Sequence, residues 1–378
     1  MKVLFVASYY YPYISGLTIY AKKLAEGLAS RGHKITVLTN QHQINLKRKE
    51  NVSGIMVKRA KPLIRLSRGF IAPQLLLDFL SDLPQTKIVG LHLPIPEAFI
   101  LAPLAKILGK KVFLIYHANL NLPSWLVSSS FIENIVLINH IIAGVFADKI
   151  IASSQDYVNF AKFLKIFRKK TILIHPPVWI NKASKKEVKS LKKKWMPFSE
   201  KIIGFAGRFA EEKGGDILIE ALPDIIKKIP KVKIVLAGEY KNLIYEDFYQ
   251  RKRKLINKYR NHLIFLGSIS PEKMANFYST IDVLALPSRA EGFPLAPIEA
   301  MLSGCPVVGF DIPGGRIAIQ LTGMGKIAGP VNSQNLAEAI VEVLKNRKKY
   351  VKPRREIEKI LNYQKTLADY EKLFSAVP

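Results

Sequence analysis

The sequence predicts an α/β protein made of two doubly wound halves. Short β-rich runs alternate with helical patterns from end to end, the order that a mainly parallel sheet with crossover helices requires. The runs are near-continuously apolar, as strands covered on both faces must be. The alternation breaks near residues 176–183 and then starts again, and 378 residues suffice for two such cores.

The first strand is "VLFVAS" (3–8). The helix after it is read from "LTIYAKKLAEGLASRGH", where Leu17, Ala21, Leu24 and Leu28 share one face and Gly32 marks the C-terminal stop. "ITVLTN" (35–40) closes this βαβ unit, and "IMVKRA" (55–60), "IVGLHL" (88–93), "VFLIYH" (112–117), "KIIASS" (149–154) and "TILIHPP" (171–177) continue the series. In "SKKEVKSLKKKW", Ser184 and Glu187 have capping-box spacing, and Val188, Leu191 and Trp195 fall on one side of the helix that they open. The second series is "KIIGFAGR" (201–208), "KIVLAGE" (233–239), "LIFLGS" (263–268), "VLALPS" (283–288) and "PVVGFD" (306–311), and the charged tail from about 353 is again helical. In such sheets the ligand site lies at the carboxyl ends of the strands.

Hydrophobic residues make up 49% of the chain, which excludes wholesale disorder. With 58 Lys and Arg against 29 Asp and Glu the formal charge is +29. That favours nucleic acid, phosphorylated substrates or an anionic membrane face, while lysines spread along the chain also fit a compositional bias. No nucleic-acid motif accompanies the charge, so nucleic acid is not an expected partner. The single cysteine, Cys305, permits no intrachain disulfide and fits a reducing cytosol; its apolar neighbours predict packing. "MKVLFVASYYYP" reads as a first strand, its apolar core too short for a secretory signal. The uncharged stretch 112–132 contains His117, Asn119, Asn121, Pro123 and four serines, which is no membrane span.

Four constellations fall at expected strand ends. In "YYPYISGLTIY" a loop with Ser15 and Gly16 runs into a helix expected from about Leu17, where free N–H groups and the helix dipole suit a phosphate or a sugar hydroxyl. In "GFAGRFAEEKGGDILIEAL" Arg208 and Lys213 flank a glycine turn and could converge on a diphosphate. His117 ends a strand, where an imidazole either hydrogen-bonds a ligand or moves a proton near neutral pH, or is a satisfied structural group. Glu291 and Glu299 lie in "SRAEGFPLAPIEAMLSGCPVVGFD". Helix-dipole compensation accounts for Glu299 but not for Glu291, which precedes the helix. No H-x-x-x-H, C-x-x-C or D-x-D pattern advertises a metal site.

The phrase "SRAEGFPLAPIEAMLSGCPVV", with the opening "YYPYISGLTIYAKKLAEGLASRGHKITVLT", "YHANL", "FAGRFAEEKGGDILIEAL" and "FLGSISPEKMANFYSTIDVLALPS", closely resembles the family-four retaining glycosyltransferases. The resemblance implies the GT-B fold, two Rossmann-like doubly wound domains facing across a cleft: an acceptor domain over 1–178, a nucleotide-sugar donor domain over 179–352, and a tail over 353–378 crossing back to the first. It also implies sugar transfer from a nucleotide-diphosphate sugar to a glycan or lipid-linked acceptor, with no metal and no cofactor beyond the donor. Glu291 would then lie by the donor sugar and Glu299 would hold the ribose; Gly292, Phe293, Pro294 and Leu295 would cradle sugar and diphosphate. Arg208 and Lys213 would neutralise the leaving diphosphate, with Gly16 and His117 facing them.

The chain departs from the family pattern in three places. Ser15 precedes Gly16 where two glycines are usual, Ala118 follows His117 where an acid is usual, and "PPVW" (176–179) replaces Asn-Gly-Val-Asp. A non-catalytic sugar-nucleotide-binding protein, a GT-B epimerase and a phosphorylase share the layout. Such enzymes often act on lipid-linked or envelope acceptors, so a cytoplasmic protein peripheral on the inner face of an anionic membrane is expected. The basic apolar segments "RLSRGFIAPQLLLDFLSDL" (65–83, with Arg65 and Arg68) and "KFLKIFRKK" (162–170) are the expected anchors.

Overall fold

The computed structural model describes residues 1–66, 69–120, 129–195, 201–241 and 247–376. Arg68 of the expected anchor and residues 121–128 of the uncharged stretch therefore lie outside the described residues. The chain divides into two compact units, Met1–Pro177 with Tyr363–Pro378, and Val178–Asn362.

The N-terminal unit is built on ten strands: β1 (Lys2–Ala7), β2 (Lys34–Asn40), β3 (Lys49–Val52), β4 (Ile55–Ala60), β5 (Ile64–Leu66), β6 (Gly69–Ile71), β7 (Ile88–Leu93), β8 (Lys111–Tyr116), β9 (Lys149–Ala152) and β10 (Thr171–Leu173). Eight form one sheet in the order β10-β9-β8-β7-β1-β2-β4-β3, parallel except for the β3–β4 pair. β5 and β6 make a separate antiparallel hairpin. From β1 the chain winds outward through β2 and β4, then returns to β7 on the other side, so the strand order reverses between β1 and β7.

The helix after β1 begins at Gly16, one residue before the expected start. Ser15 is its N-cap: the Thr18 N–H donates to Ser15 Oγ at 3.2 Å and the Ser15 N–H to Thr18 Oγ1 at 2.9 Å. Ala21, Leu24, Ala25 and Leu28 are buried beneath it, while Leu17, at the mouth of the helix, is only half-buried.

The C-terminal unit holds β11 (Lys201–Ala206), β12 (Val232–Ala237), β13 (Leu263–Gly267), β14 (Val283–Leu286), β15 (Val307–Gly309) and β16 (Gly325–Ile327) in one parallel sheet, order β13-β12-β11-β14-β15-β16. Its reversal falls between β11 and β14, which pair through Ile203↔Val283 to Phe205↔Ala285. Phe205, Ile234, Val283 and Val308 meet Leu336, Ile340 and Val343 of the Ser333–Lys345 helix in the core. Cys305 is buried, and burial pushes its thiol well above the ordinary range.

Two local expectations are revised. Ser184 and Glu187 do not close a capping box on each other alone: the Ser184 N–H donates to Asn276 Oδ1 at 2.7 Å, and Asn276 Nδ2 donates to Glu187. A side chain from another helix has taken half of the cap. The tail is not one element either. Its Arg354–Ile360 helix stays with the C-terminal unit, where Arg354 donates to the Ile180 carbonyl at 2.7 Å. Its Tyr363–Ala376 helix belongs to the N-terminal unit: Tyr370 and Tyr20 share a 2.6 Å hydroxyl contact, and Arg31 pairs with Glu371 at 2.7 Å.

Candidate active site

The strand order of the C-terminal sheet reverses between β11 and β14, where sheets of this kind bind ligands, and the loops at the carboxyl ends of these two strands bring Lys213 and Glu291 together. Lys213, on the turn after β11, reaches Glu291, on the loop after β14: Nζ to Oε1 is 2.8 Å. Ser288 Oγ donates to the same oxygen at 2.7 Å. The Glu291 side chain is nearly buried at 8% exposure and that of Lys213 is at 26%, so the lysine is the more accessible member of the pair. Arg208 stands on the same turn but bonds Glu212 Oε1 at 2.7 Å, so it does not join the Lys213–Glu291 pair directly.

The backbone that carries Glu291 is fixed from two sides. Gly214 has φ +66°, and a Cβ there would lie 1.9 Å from the Pro287 carbonyl oxygen. Gly314, at φ +78°, allows no Cβ either, because the Gly292 and Glu291 carbonyl oxygens would lie at 2.2 and 2.4 Å. These are close backbone approaches that only glycine permits.

Gly292 and Phe293 then lead to Pro294, the extended N-cap of the Leu295–Leu302 helix, which supplies no side-chain cap. Pro297 occupies the third helical position, where its missing N–H would be an orphan anyway. The N–H groups of Leu295 and Ala296 in this uncapped first turn suit an anion. Glu299 sits one turn further on, buried, accepting from the Tyr278 hydroxyl at 3.3 Å. That is not the exposed first-turn position of dipole compensation. Burial pushes the Tyr278 phenol well above its usual range, and the Glu299 charge and hydrogen bond add to the shift.

A second clamp joining these loops was not anticipated from sequence. Arg289 forks onto Asp216 with two 3.0 Å bonds, donates to the Glu211 carbonyl at 2.6 Å, and its own N–H reaches the Glu212 carbonyl at 2.8 Å. Lys252 Nζ lies 2.9 Å from Asp216 Oδ2, the oxygen that also accepts from Arg289 Nη2. Burial alone would raise the Asp216 carboxyl, but the bonds from Arg289 and Lys252 outweigh it and hold the group below the usual carboxylate range. In sequence Asp216 looks like an ordinary first-turn acid; only the fold brings Arg289 to it.

In the N-terminal unit the predicted residues lie at the carboxyl ends of β1 and β8. Gly16 is exposed, and a Cβ built on it would meet no protein atom within 4 Å. Nothing in the chain's own packing requires glycine there. Gly16→Ala is accordingly expected to leave thermal unfolding unchanged or slightly raised, since alanine is favoured over glycine in helices by up to about 1 kcal/mol. Transfer should fall if a ligand approaches this backbone; an unimpaired Gly16→Ala enzyme in a steady-state assay would remove Gly16 from the site.

His117 follows β8, and its Nε2 lies 3.0 Å from Nδ1 of His92 on β7; the Tyr20 ring meets the imidazole edge-on at 4.7 Å. Burial holds both imidazoles neutral at pH 7, and in His92 the neighbouring His117 adds to the effect. Of the roles expected of His117, this favours a neutral hydrogen-bonding group over proton transfer near neutral pH, and which of its nitrogens carries the proton depends on the His92 tautomer. His92 was hidden in an apolar strand run. Among the described residues no group of three or more His, Cys, Asp or Glu side chains gathers around a common point.

Two family models match the chain in succession, Glycosyltransferase Family 4 over residues 14–181 and Glycosyl transferases group 1 over residues 188–360. The chain belongs to the family-four, group 1 glycosyltransferases. Among curated relatives of this family, the uncharacterized glycosyltransferase MJ1607 of Methanocaldococcus jannaschii is 25% identical over 91% of this chain and 89% of its own length. D-inositol 3-phosphate glycosyltransferase of Corynebacterium aurimucosum is 28% identical over 39% of this chain, and the match spans only 36% of that protein. Two solved structures cover the whole of both chains: HepE of Anabaena in complex with UDP and glucose, at TM-score 0.79 and 21% identity, and sucrose-phosphate synthase of Thermosynechococcus elongatus, at 0.78 and 19%. The fold of this family member is GT-B, with two Rossmann-like domains.

Proposed function

We propose that the protein transfers a hexosyl group from a nucleotide-diphosphate sugar to a glycan or lipid-linked acceptor, with retention of anomeric configuration and without a metal ion. The Lys213–Glu291 pair at the reversal point of the C-terminal sheet carries this reading. The bond that breaks is the anomeric C–O bond, and its electron pair passes to the diphosphate oxygen. Lys213, Arg208 and the uncapped first turn at Leu295 supply positive potential where that charge develops. Glu291 accepts from donor-sugar hydroxyls and Glu299 from the ribose. The acceptor oxygen attacks from the side of the leaving diphosphate, which takes the acceptor's proton. His117 takes part as a neutral hydrogen-bonding imidazole.

HepE was solved with UDP and glucose, and starch synthase IV of Arabidopsis thaliana with ADP and acarbose, which supports a nucleoside-diphosphate site on this fold without choosing the base. The acceptor side is assigned to the N-terminal unit, working on the cytoplasmic face of a membrane. Transfer from UDP-, ADP- and GDP-sugars to glycan and polyprenyl-linked acceptors, followed by NMR of the product, tests the reading. We expect the donor's anomeric configuration in the product and turnover that survives chelation of divalent ions. An inverted product, or a strict requirement for added Mg²⁺ or Mn²⁺, would contradict it.

A further inference from the structure

The helix Ser129–Phe146 has two apolar faces. One is buried at Ala143 against the core of the N-terminal unit. The other presents Phe131, Ile135, Ile138, Ile142 and Val145, a 4-3-4-3 spacing that keeps them in one stripe, at 37% to 69% exposure. A helix apolar all round is normally covered on all sides.

Neighbouring helices of the unit also expose apolar side chains. The helices Pro73–Asp82, Ala98–Ile107, Ser129–Phe146 and Lys162–Ile166 share one core through Leu75 and Phe79, Leu101 and Ala105, Ala143, and Phe163 and Leu164. They therefore form one layer on one face of the sheet. On the outside of that layer Leu77, Leu80, Phe99 and Ile166 are also exposed. In the whole C-terminal unit, among the described residues, the exposed large hydrophobics are only Trp179, Leu321, Val331 and Ile360, scattered along the chain. Scattered apolar residues are normal; five on one face of a single helix mark an interaction surface.

The charge selects the occupant. Lys162, Lys165, Arg168 and Lys169 are exposed beside the end of the stripe, and the Phe167 ring packs where Gly144 has no side chain. Lys170 ties the segment down by donating to the Gly144, Val145 and Ala147 carbonyls at 3.2, 2.7 and 2.9 Å. A second copy of a chain with net charge +29 would be repelled, whereas an anionic lipid surface is attracted. No described helix is long and apolar enough to cross a membrane.

We propose that the outer face of this helical layer, centred on the 131–145 stripe, lies in the interface of an anionic bilayer, with the stripe in the acyl boundary and the 162–170 lysines at the headgroups. This deepens the membrane reading above by moving the main contact from the expected 65–83 segment, where Leu75 and Phe79 are core, to the Ser129–Phe146 helix.

The test is co-sedimentation of the full chain with phosphatidylglycerol vesicles, and with phosphatidylcholine vesicles, at low and high salt. Binding to the anionic vesicles is expected, with a fraction persisting at high salt because apolar insertion is not screened. Ile135→Glu with Ile138→Glu should lower the bound-to-free ratio at least about tenfold. Ile135→Ser with Ile138→Ser should do so less, and Val331→Glu not at all. Equal binding by the Ile135/Ile138 variants would overturn the proposal, as would a wild-type dimer in solution that the same variants dissociate without any vesicle binding. Thermal shift by UDP, ADP or GDP in the same preparations reports the donor site independently, so loss of one reading leaves the other standing.

Discussion

Lys213→Ala is expected to lower sugar transfer by roughly 10²–10³-fold with the fold intact, the loss typical of removing one preorganised group that faces developing negative charge. Lys213 is a quarter exposed on a turn, so its truncation opens no core cavity. What it removes is a cation bonded to Glu291 across the β11 and β14 loops. Glu291→Gln should be comparably damaging for a different reason: the amide keeps the shape and the 2.7 Å bond from Ser288 but loses the charge that holds the ammonium in place. Steady-state kinetics beside thermal unfolding separates the readings. If the pair were only a brace, activity would fall in step with melting temperature; near-normal turnover in either variant would remove the pair from the chemistry.

Gly214→Ala should damage both stability and activity. A left-handed alanine costs about 1–2 kcal/mol. Here its Cβ would also lie 1.9 Å from the Pro287 carbonyl oxygen, which cannot move without shifting the backbone that carries Ser288, Arg289 and Glu291. A total on the order of 3 kcal/mol would place the variant among the severe single substitutions. For a unit of this size that corresponds to a melting shift of roughly 6–12 °C. Differential scanning calorimetry checks this, with Gly16→Ala as the glycine control that meets no protein atom. A Gly214→Ala chain with wild-type melting and turnover would mean that the two loops are not held in register there.

Much of this was legible in the sequence because the signals were local. The buried parallel strands were long apolar runs, and Lys213 and Glu291 each stood just past one. β3 was not legible: "KENV" is a polar edge strand whose pairing comes only from its neighbour β4. β16 was missed because "GKI" is three residues opening on a glycine. The Arg289–Asp216 clamp and the His92–His117 pair join residues far apart in sequence, which periodicity does not report. The tail was read as helical and charged and as crossing back to the first half, but where it divides, at Asn362, was not legible because Leu361 and Asn362 carry no strong breaker. The exposed stripe escaped for the opposite reason, since a helix apolar on both faces gives the same sequence pattern as a buried one.

The loops after β11 and β14 are expected to bind a nucleoside diphosphate through Lys213. Isothermal titration of UDP, ADP and GDP into the wild-type chain, Lys213→Ala and Gly16→Ala tests it directly. One site is expected for at least one of the three nucleotides, at least about tenfold weaker in Lys213→Ala, consistent with loss of a charge-assisted contact, while Gly16→Ala reports whether the turn after β1 reaches the diphosphate. Equal affinity for wild type and Lys213→Ala, or no binding of any nucleoside diphosphate to the folded chain, would contradict it.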